Sequence, residues 1–473
     1  MSAKTEQQSF LSALVSKIDP EPKLSWQWTG KVLSWIVVCC LFVGPAAGQD
    51  WLQFRGPGAR GVAEGPVTPP SQWSETENVL WKTGVPGRGW SSPIVVGQRV
   101  FVTTVEQKEG QPEEALPGIY AGGERDRPVE EWMEWKVLCL DLATGNVEWE
   151  KTLKEGVPQS SRHLKNSYAS ETPVSDGQRL YVLLGNVGCY CLDLKGNLIW
   201  EHPVAPRKTR NQWGTGASPV LHQDFLYLVN DNDEESYLVC LEKTTGEEKW
   251  KVEREEGTNW STPFIWENKL RTEIVTSGSD KVRSYDLDGN LLYEFSGLST
   301  ITIATPYAAD GLLYISSGFV ADPNRPVYAI RPGAKGDITL AEGEVSNEYI
   351  AWAEPTGAPY NPSTLVYQGQ LYVLFDRGMI AAYDAQTGED IYAKERISGG
   401  RSFTASPWAY GGNIYCLNEF GETFVIKAGP FYELLHVNKL EVDQLSLSTP
   451  AIAGEYLILR TGEAVLCIGK AAP

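Results

Sequence analysis

The sequence predicts an all-β fold, a single eight-bladed β-propeller of four-stranded blades. Three observations predict it: a Ser or Thr followed by Pro recurs along the chain, most steps between the copies are 43–46 residues long, and each unit contains four short β-rich runs. Repeats of this length with four strands each are typical of propeller blades. No helical periodicity of useful length competes with this pattern.

The Ser/Thr-Pro landmark places the start of each blade. It lies at Ser92, Thr172, Ser218, Thr262, Thr305, Ser406 and Thr449, and Ser363-Thr364 takes its place, without proline, in the sixth unit. The steps are 80, 46, 44, 43, 58, 43 and 43 residues, so two units carry insertions. We expect the first, 107–135, to form a lid anchored by Trp132 and Trp135, and the second, 331–349, to enlarge the fifth blade.

A small residue and an aromatic residue recur in the second half of the units. The small residue is Cys139, Cys191, Cys240, Ser284, Ala329, Ala382, Val425 or Cys467, and the aromatic, four residues after a glycine, is Trp149, Trp200, Trp250, Tyr293 or Tyr392. Since every occupant of the first position is small, we interpret it as a packing slot. We expect the tryptophans to pack between blades. We expect no disulfide framework, because equivalent positions in adjacent blades lie too far apart.

The two ends of the repeat region predict how the ring closes. The eighth unit ends without its fourth strand, whereas "ENVLWKTGV" (77–85) is such a strand without a unit of its own. Pairing this N-terminal strand with the last blade closes the ring and leaves no open edge between the first and last blades.

The first 48 residues are typical of a targeting leader. Lys31 precedes the apolar run "VLSWIVVCCLFVG" (32–44), and small residues follow it, so cleavage after Gly48 is expected. The rival interpretation is an uncleaved N-terminal anchor. We therefore predict a leader at 1–48, a propeller at 49–473 and export to the periplasm or cell envelope.

Composition and motifs exclude several functions. The formal charge of −19 argues against a nucleic-acid partner. The four histidines form no short-spaced ligand pair, and there is no Cys-x-x-Cys to indicate zinc. "GPGARG" (56–61) matches a dinucleotide fingerprint, but the proline-rich stretch after it cannot be helical, so we predict a loop.

The loops joining the fourth strand of one blade to the first strand of the next are expected to meet at one mouth of the channel. The candidate ligand-binding residues in these loops are Arg88, Trp90, Arg162, His163, Arg210, Trp213, Asn259, Trp260, Tyr360, Asn361 and Arg401, with Lys165, Arg207 and Lys208 nearby in the chain. Such a cluster suits an anion or an amphipathic ligand. Alternatively, these side chains plug the channel and stack on one another. The acidic run 230–236 lacks the glycine and distal Glu of a calcium loop, and we interpret it as a solvated turn.

The Gly-x-x-x-Trp/Tyr endings after "CLDLATG" (139–145) and "AYDAQTG" (382–388) resemble the repeat of pyrroloquinoline-quinone (PQQ)-type eight-bladed propellers. That family includes quinoprotein alcohol dehydrogenases and the propeller lipoprotein of outer-membrane β-barrel assembly. The opening "WLQFRGPGARG" (51–61) resembles the start of a group of exported bacterial PQQ-like proteins. The dehydrogenases have an adjacent-cysteine disulfide and a Glu, Asn and Asp calcium set. Here the adjacent pair, Cys39-Cys40, lies in the leader and no such calcium set is recognisable, and the leader lacks the lipobox of the assembly lipoprotein.

Two functions follow from this resemblance. The first is an exported, non-catalytic scaffold that binds an envelope protein or a small ligand at the channel mouth, with no catalytic residue, metal or cofactor expected. The alternative is an abbreviated quinoprotein dehydrogenase that uses PQQ with calcium. In both cases we expect a monomer that touches a membrane only through an uncleaved N-terminal segment.

Overall fold

The computed structural model describes residues 50–110, 114–119, 130–441 and 445–470. The described strands form eight sheets, one per sequence repeat. Seven of them have four antiparallel strands, and the remaining sheet has a fifth strand that pairs in parallel. The fold is the predicted all-β eight-bladed propeller. The leader at 1–48 lies outside the described residues. Within the described part of the chain, no helix is long and apolar enough to cross a membrane.

The strands follow one another blade by blade, and the first strand of each blade lies innermost. A single strand, β1 (Val79–Gly84), precedes the first blade. Blades 1 to 4 contain β2 (Ile94–Val96), β3 (Arg99–Gln107), β4 (Met133–Asp141) and β5 (Val147–Gly156); β6 (Val174–Ser175), β7 (Arg179–Leu184), β8 (Gly188–Asp193) and β9 (Leu198–Pro203); β10 (Val220–His222), β11 (Phe225–Asn230), β12 (Ser236–Glu242) and β13 (Glu248–Arg254); β14 (Phe264–Glu267), β15 (Thr272–Ser277), β16 (Lys281–Tyr285) and β17 (Leu291–Ser296).

The second half of the ring repeats this order. Blades 5 to 8 contain β18 (Tyr307–Ala309), β19 (Leu312–Ser316), β20 (Val327–Ile330) and, after the short β21 (Gly336–Asp337), β22 (Ile350–Glu354); β23 (Leu365–Tyr367), β24 (Gln370–Phe375), β25 (Met379–Asp384) and β26 (Asp390–Arg396); β27 (Trp408–Tyr410), β28 (Asn413–Leu417), β29 (Glu422–Lys427) and β30 (Leu434–Lys439); β31 (Ala451–Ala453), β32 (Tyr456–Arg460) and β33 (Ala464–Ile468). Two short 3-10 turns, Pro57–Ala59 and Arg210–Gln212, lie in connecting segments.

The ring closes through the N-terminal strand, as predicted. β1 is the outer strand of the eighth blade and pairs antiparallel with β33, with Trp81 opposite Cys467. This pairing joins the two ends of the propeller in a single sheet, so the first and last blades leave no open edge between them.

The recurring small and aromatic residues form one inter-blade contact that is repeated around the ring. In each blade the small residue lies opposite the aromatic position of the outer strand, as in Cys139–Trp149 and Cys240–Trp250. Each tryptophan indole N–H then donates to a turn carbonyl of the next blade, as Trp149 does to Leu194 O at 3.1 Å. The indole also covers the glycine of that turn: a Cβ at Gly145 would lie 2.5 Å from Trp81. The prediction that the tryptophans pack between blades is confirmed.

The six described cysteines are all free and buried. Cys139 and Cys240 illustrate the chemistry of the slot, because burial raises the pKa of each thiol to about 12. A thiol with such a high pKa is a packing group and a poor nucleophile at neutral pH.

The second insertion does not enlarge the fifth blade. Although residues 331–349 connect β20 to β22 of that blade, β21 pairs in parallel with β17, so the fourth blade becomes a five-stranded sheet. The expectation was wrong because the outer edge of the neighbouring blade offered free backbone groups, which a passing segment can pair.

The N-terminal segment 51–76 crosses the channel. It does so at the C-terminal end of the innermost strands, whereas the Ser/Thr-Pro landmark lies just before their N-terminal end. Its backbone pairs with Val95 of blade 1, bonds to Ser175 of blade 2 and pairs with Ala409 of blade 7. Between these contacts, Arg55 Nη2 donates to Thr364 O of blade 6 at 2.7 Å. We call this segment the plug. The predicted loop at 56–61 is confirmed, since it contains only a 3-10 turn.

Candidate functional site at the channel mouth

A cavity of about 280 Å³ occupies the channel between the plug and the loops that join consecutive blades. Every blade contributes to its lining, because each connection between blades returns to the channel just before an innermost strand. Its apolar wall is formed by the described residues Phe54, Trp90, Ile119, Trp213, Trp260, Ile303, Tyr360 and Leu447. Phe54 belongs to the plug, so the cavity is open at one end and floored at the other. Concave, largely apolar sites of this kind are the usual location of ligands.

Six of the eleven predicted candidates line this cavity. They are Trp90, His163, Trp213, Trp260, Tyr360 and Asn361. Trp213 and Trp260 come from consecutive blade connections, with ring centroids 6.0 Å apart. His163 meets Trp213 edge-on at 5.5 Å and accepts the backbone N–H of Lys165 at Nδ1. This acceptor role places the proton of a neutral His163 on Nε2.

The other five candidates lie elsewhere, and four of them are the predicted arginines. Arg88 and Arg162 line a separate cavity of about 40 Å³, and Arg162 donates to three backbone carbonyls of its own loop. Arg210 donates to Thr300 O at 3.0 Å, and Arg401 lies over the ring of Phe420 at 4.4 Å. None of these four arginines lines the cavity, and Arg162, Arg210 and Arg401 are engaged with loop carbonyls or a ring instead.

Asn259, the fifth of these candidates, belongs to a buried polar cluster. Its amide donates to Asp231 at 2.6 Å, and Arg254 binds the same carboxylate with two bonds of 2.8 and 2.9 Å. Asp231 and Asn232 are buried. The interpretation of residues 230–236 as a solvated turn is therefore wrong for Asp231, Asn232 and Ser236, which are buried, whereas 233–234 are exposed. Because Arg254 and Asp231 form a bidentate pair, the loop can be buried without leaving a charge uncompensated.

A strap of residues 114–119, from the first insertion, lies over the mouth. Gly118 and Ile119 line the cavity, and Lys165 Nζ donates to Gly118 O at 2.9 Å. Glu419 of blade 7 accepts the Gly118 N–H at 2.7 Å and pairs with Lys165 at 2.6 Å. The Glu419 side chain is only 1% exposed. One buried ion pair thus ties a blade 1 segment, a blade connection and blade 7 together.

The anchors of the first insertion match the prediction in part. Trp135 is buried and its indole donates to Tyr168 O at 3.2 Å. Trp132 is half exposed and is not an anchor.

A buried carboxyl lies directly behind the cavity wall. Glu171 accepts the hydroxyl of Thr215, a lining residue, at 2.6 Å. Burial raises the pKa of Glu171 to about 7, although hydrogen bonds from Thr215 and the backbone act in the opposite direction. The charge of Glu171 therefore changes near neutral pH, and only the side chain of Thr215 separates this carboxyl from the cavity.

The landmark hydroxyls form a ring around the channel. All eight, Ser92, Thr172, Ser218, Thr262, Thr305, Ser363, Ser406 and Thr449, line the cavity. We call this ring the collar. Six backbone N–H groups donate to the hydroxyl of the next blade, from Ser92 to Thr172, Thr172 to Ser218, Ser218 to Thr262, Thr305 to Ser363, Ser363 to Ser406 and Ser406 to Thr449, at 2.9–3.0 Å.

Sequence reasoning identified the collar residues only as landmarks of the repeat. Their recurrence at the channel end of every unit was the signal that could have placed them in the site. Phe54 and Glu419 carried no such signal, because each occurs once and lies far in sequence from the residues it meets.

The described residues do not fit a calcium ion in this cavity. Calcium prefers several carboxylate and carbonyl oxygens, and the lining within the described ranges contains neither Asp nor Glu. Across the same ranges, no three His, Cys, Asp or Glu side chains cluster as metal ligands would.

The fold and its repeat define a PQQ-type propeller. The sequence matches the model of the family described as outer membrane protein assembly factor BamB over residues 71–212 and 185–429. Since these matches cover most of its length, the chain belongs to this family. No curated protein matches the chain in sequence.

Solved structures with the same architecture include both kinds of relative expected from the repeat. BamB from Moraxella catarrhalis is 11% identical, with a TM-score of 0.51 over 73% of this chain and 97% of its own. A europium-containing methanol dehydrogenase is 10% identical, with a TM-score of 0.56 over 88% and 90% of the two chains. Quinohemoprotein alcohol dehydrogenase from Comamonas testosteroni is also 10% identical, with a TM-score of 0.57 over 90% and 81%. At these identities the likeness shows the shared fold alone.

Proposed function

We propose that this chain is an exported, non-catalytic PQQ-like propeller that acts as a binding scaffold in the cell envelope. The observation that carries the proposal is the blind cavity at the channel mouth, to which every blade contributes a loop and which the plug floors. The description of the matching family as an outer membrane assembly factor supports a scaffold role. The leader at 1–48 supports export, by cleavage or as an anchor.

The charges around the cavity support binding over catalysis. Lys165, the one lysine in the described lining, is paired with Glu419, and His163 already accepts a backbone N–H. A general acid or base needs an ionisable group that can exchange a proton with the substrate. Glu171, whose pKa is suited to that task, lies behind Thr215, which takes up one of its oxygens.

Native mass spectrometry of the full-length chain, purified from its host envelope, tests the proposal. We expect a bound partner or ligand that is lost in Trp213→Ala and retained in Arg210→Ala. Arg210 is a matched control because it lies in the same loop and outside the cavity.

The quinoprotein alternative makes a different prediction in a melting experiment. A cofactor that binds only the native state raises the melting temperature. A rise that requires calcium in addition to PQQ and that disappears in Trp213→Ala, on a chain purified without any bound species, would overturn the scaffold proposal. A melting temperature that calcium does not change in the presence of excess PQQ supports it.

A further inference from the structure

The collar presents hydrogen-bond donors to the channel. Six of its hydroxyl oxygens accept a backbone N–H from the preceding blade. The proton of each of these hydroxyls is then left to donate to another group. Among the described residues, no collar hydroxyl donates its proton to a protein acceptor. A hydroxyl that accepts one bond still has its own proton to give. Since all eight groups line one cavity, these protons are available to whatever occupies it.

Two buried guanidinium groups adjoin the collar. Arg55 bonds to the carbonyl of Thr364, next to collar residue Ser363, and Arg460 bonds to the carbonyl and hydroxyl of Ser91, next to Ser92. Neither has a carboxylate partner in the described part of the chain. Nε of both groups and Nη1 of Arg55 are buried without a hydrogen bond.

These arginines keep their charge under ordinary conditions. Burial lowers the pKa of Arg55 to about 10 and that of Arg460 to about 9, which leaves both protonated at neutral pH. An uncompensated charge in a protein interior is costly, and an opposite charge nearby lowers that cost. Two positive charges therefore lie beside residues of the collar although the chain as a whole carries −19.

The carboxylates that bond to lining residues are already engaged. Glu419 is paired with Lys165, and Asp376 accepts the backbone N–H groups of Tyr360 and Asn361 at 2.8 and 2.9 Å. Burial raises the pKa of Glu171, which disfavours its charged form. The lining itself contributes donors and apolar surface.

We propose that the collar is an oxyanion subsite and that the ligand of the mouth is an organic anion. Its carboxylate, phosphate or sulfonate head lies among the collar hydroxyls, and its apolar body lies against Trp213 and Trp260. Hydrogen bonds to an anion are stronger than those to a neutral acceptor, particularly where water is excluded. This inference rests on the proposed function, because it names the class of ligand for the same mouth, and it requires no metal.

A matched pair of probes tests the subsite by isothermal titration calorimetry on the full-length chain. 2-Naphthoate and 2-naphthalenemethanol have the same aromatic body, and only the first carries an anionic head. We expect 2-naphthoate to bind roughly tenfold or more tightly, since a charge-assisted bond contributes more than a neutral one.

Ser92→Ala and Thr305→Val locate the head group. Their oxygens accept none of the six inter-blade bonds, so removing them spares the ring of hydrogen bonds. We expect the double variant to weaken 2-naphthoate roughly tenfold and to leave 2-naphthalenemethanol unchanged. Thr387→Val, in an exposed outer turn, is the matched control and should change neither affinity.

The outcomes separate this inference from the proposed function. Absence of a preference for 2-naphthoate, or a preference that survives the double variant with an unchanged melting temperature, overturns the oxyanion subsite. In that case a bound species in native mass spectrometry leaves the scaffold proposal intact. If native mass spectrometry finds no bound species and neither probe binds, both the oxyanion subsite and the scaffold proposal are overturned.

Discussion

The two ends of the channel are built in different ways. At one end the plug is bonded to several blades, and its large side chains, Trp51, Arg55 and Trp73, are buried. At the other end, Trp213 and Trp260 are only partly buried and a strap lies over the opening. The repeats build the wall that both ends share. Single-copy segments then determine which end is sealed and which end can admit a ligand.

Removing the sealed end should have the largest effect. Deleting residues 50–85 removes both the plug and β1, which leaves blade 8 with three strands and the ring without its closing sheet. We expect the cooperative thermal transition to be lost, because exposed edges and an open ring replace paired backbone. Circular dichroism with temperature measures this.

A shorter deletion sharpens the comparison. Removing only 50–76 keeps β1 and opens the floor, so the ring should still melt cooperatively, at a lower temperature than the full-length chain. If the deletion of 50–85 melts like the full-length chain, closure by β1 does not hold the ring together.

Breaking the ion pair that holds the strap should have a smaller effect. Lys165→Met leaves Glu419 as a buried charge without its partner, and breaking such a pair costs about 3–5 kcal/mol. We expect that loss in the free energy of unfolding measured in urea, together with faster limited proteolysis around residues 114–119.

The double variant Lys165→Met/Glu419→Gln is the control for this prediction. Removing both charges should recover most of the stability, because no uncompensated charge remains. A double variant as unstable as Lys165→Met would show that the pair is not what holds the strap.

The smallest effect is expected from the carboxyl behind the wall, and it depends on pH. The pKa of Glu171 is about 7 in the folded chain against an ordinary 4.5, so the folded state holds the proton longer than the unfolded state. The stability contributed by the protonated form is therefore lost as the pH rises from about 4.5 to 7. Relative to Glu171→Gln, which cannot ionise, the wild type should lose about 3 kcal/mol over this range.

Urea unfolding of both chains at pH 5 and pH 8 measures that difference. Other buried carboxyls titrate in both chains and cancel from it. Parallel pH profiles would contradict the raised pKa of Glu171.

Most of the wall could be predicted from the sequence, and most of the two ends could not. Blade number, ring closure and the Cys139–Trp149 type of contact follow from self-similarity, because a repeated interface repeats its residues. The plug occurs once, so "WLQFRGPGARG" predicted a loop but not its course across the channel. The arginines were assigned to the mouth from loop position alone, and nothing local shows that Arg162 bonds to its own loop or that Arg401 lies over Phe420. Glu419 meets Lys165 across 254 residues, a distance that no local pattern spans.

The direction of the inter-blade bonds has a consequence for how such a chain can arise. Each collar link runs from a backbone N–H to the hydroxyl of the following blade, and each tryptophan bond runs the same way, as from Trp149 to Leu194. A unit with a donor on one side and the matching acceptor on the other fits beside a copy of itself, which is a head-to-tail interface that can close into a ring. Gene duplication of one unit therefore creates a compatible neighbour at once, and the copies can diverge afterwards at the mouth while the contacts between them are retained.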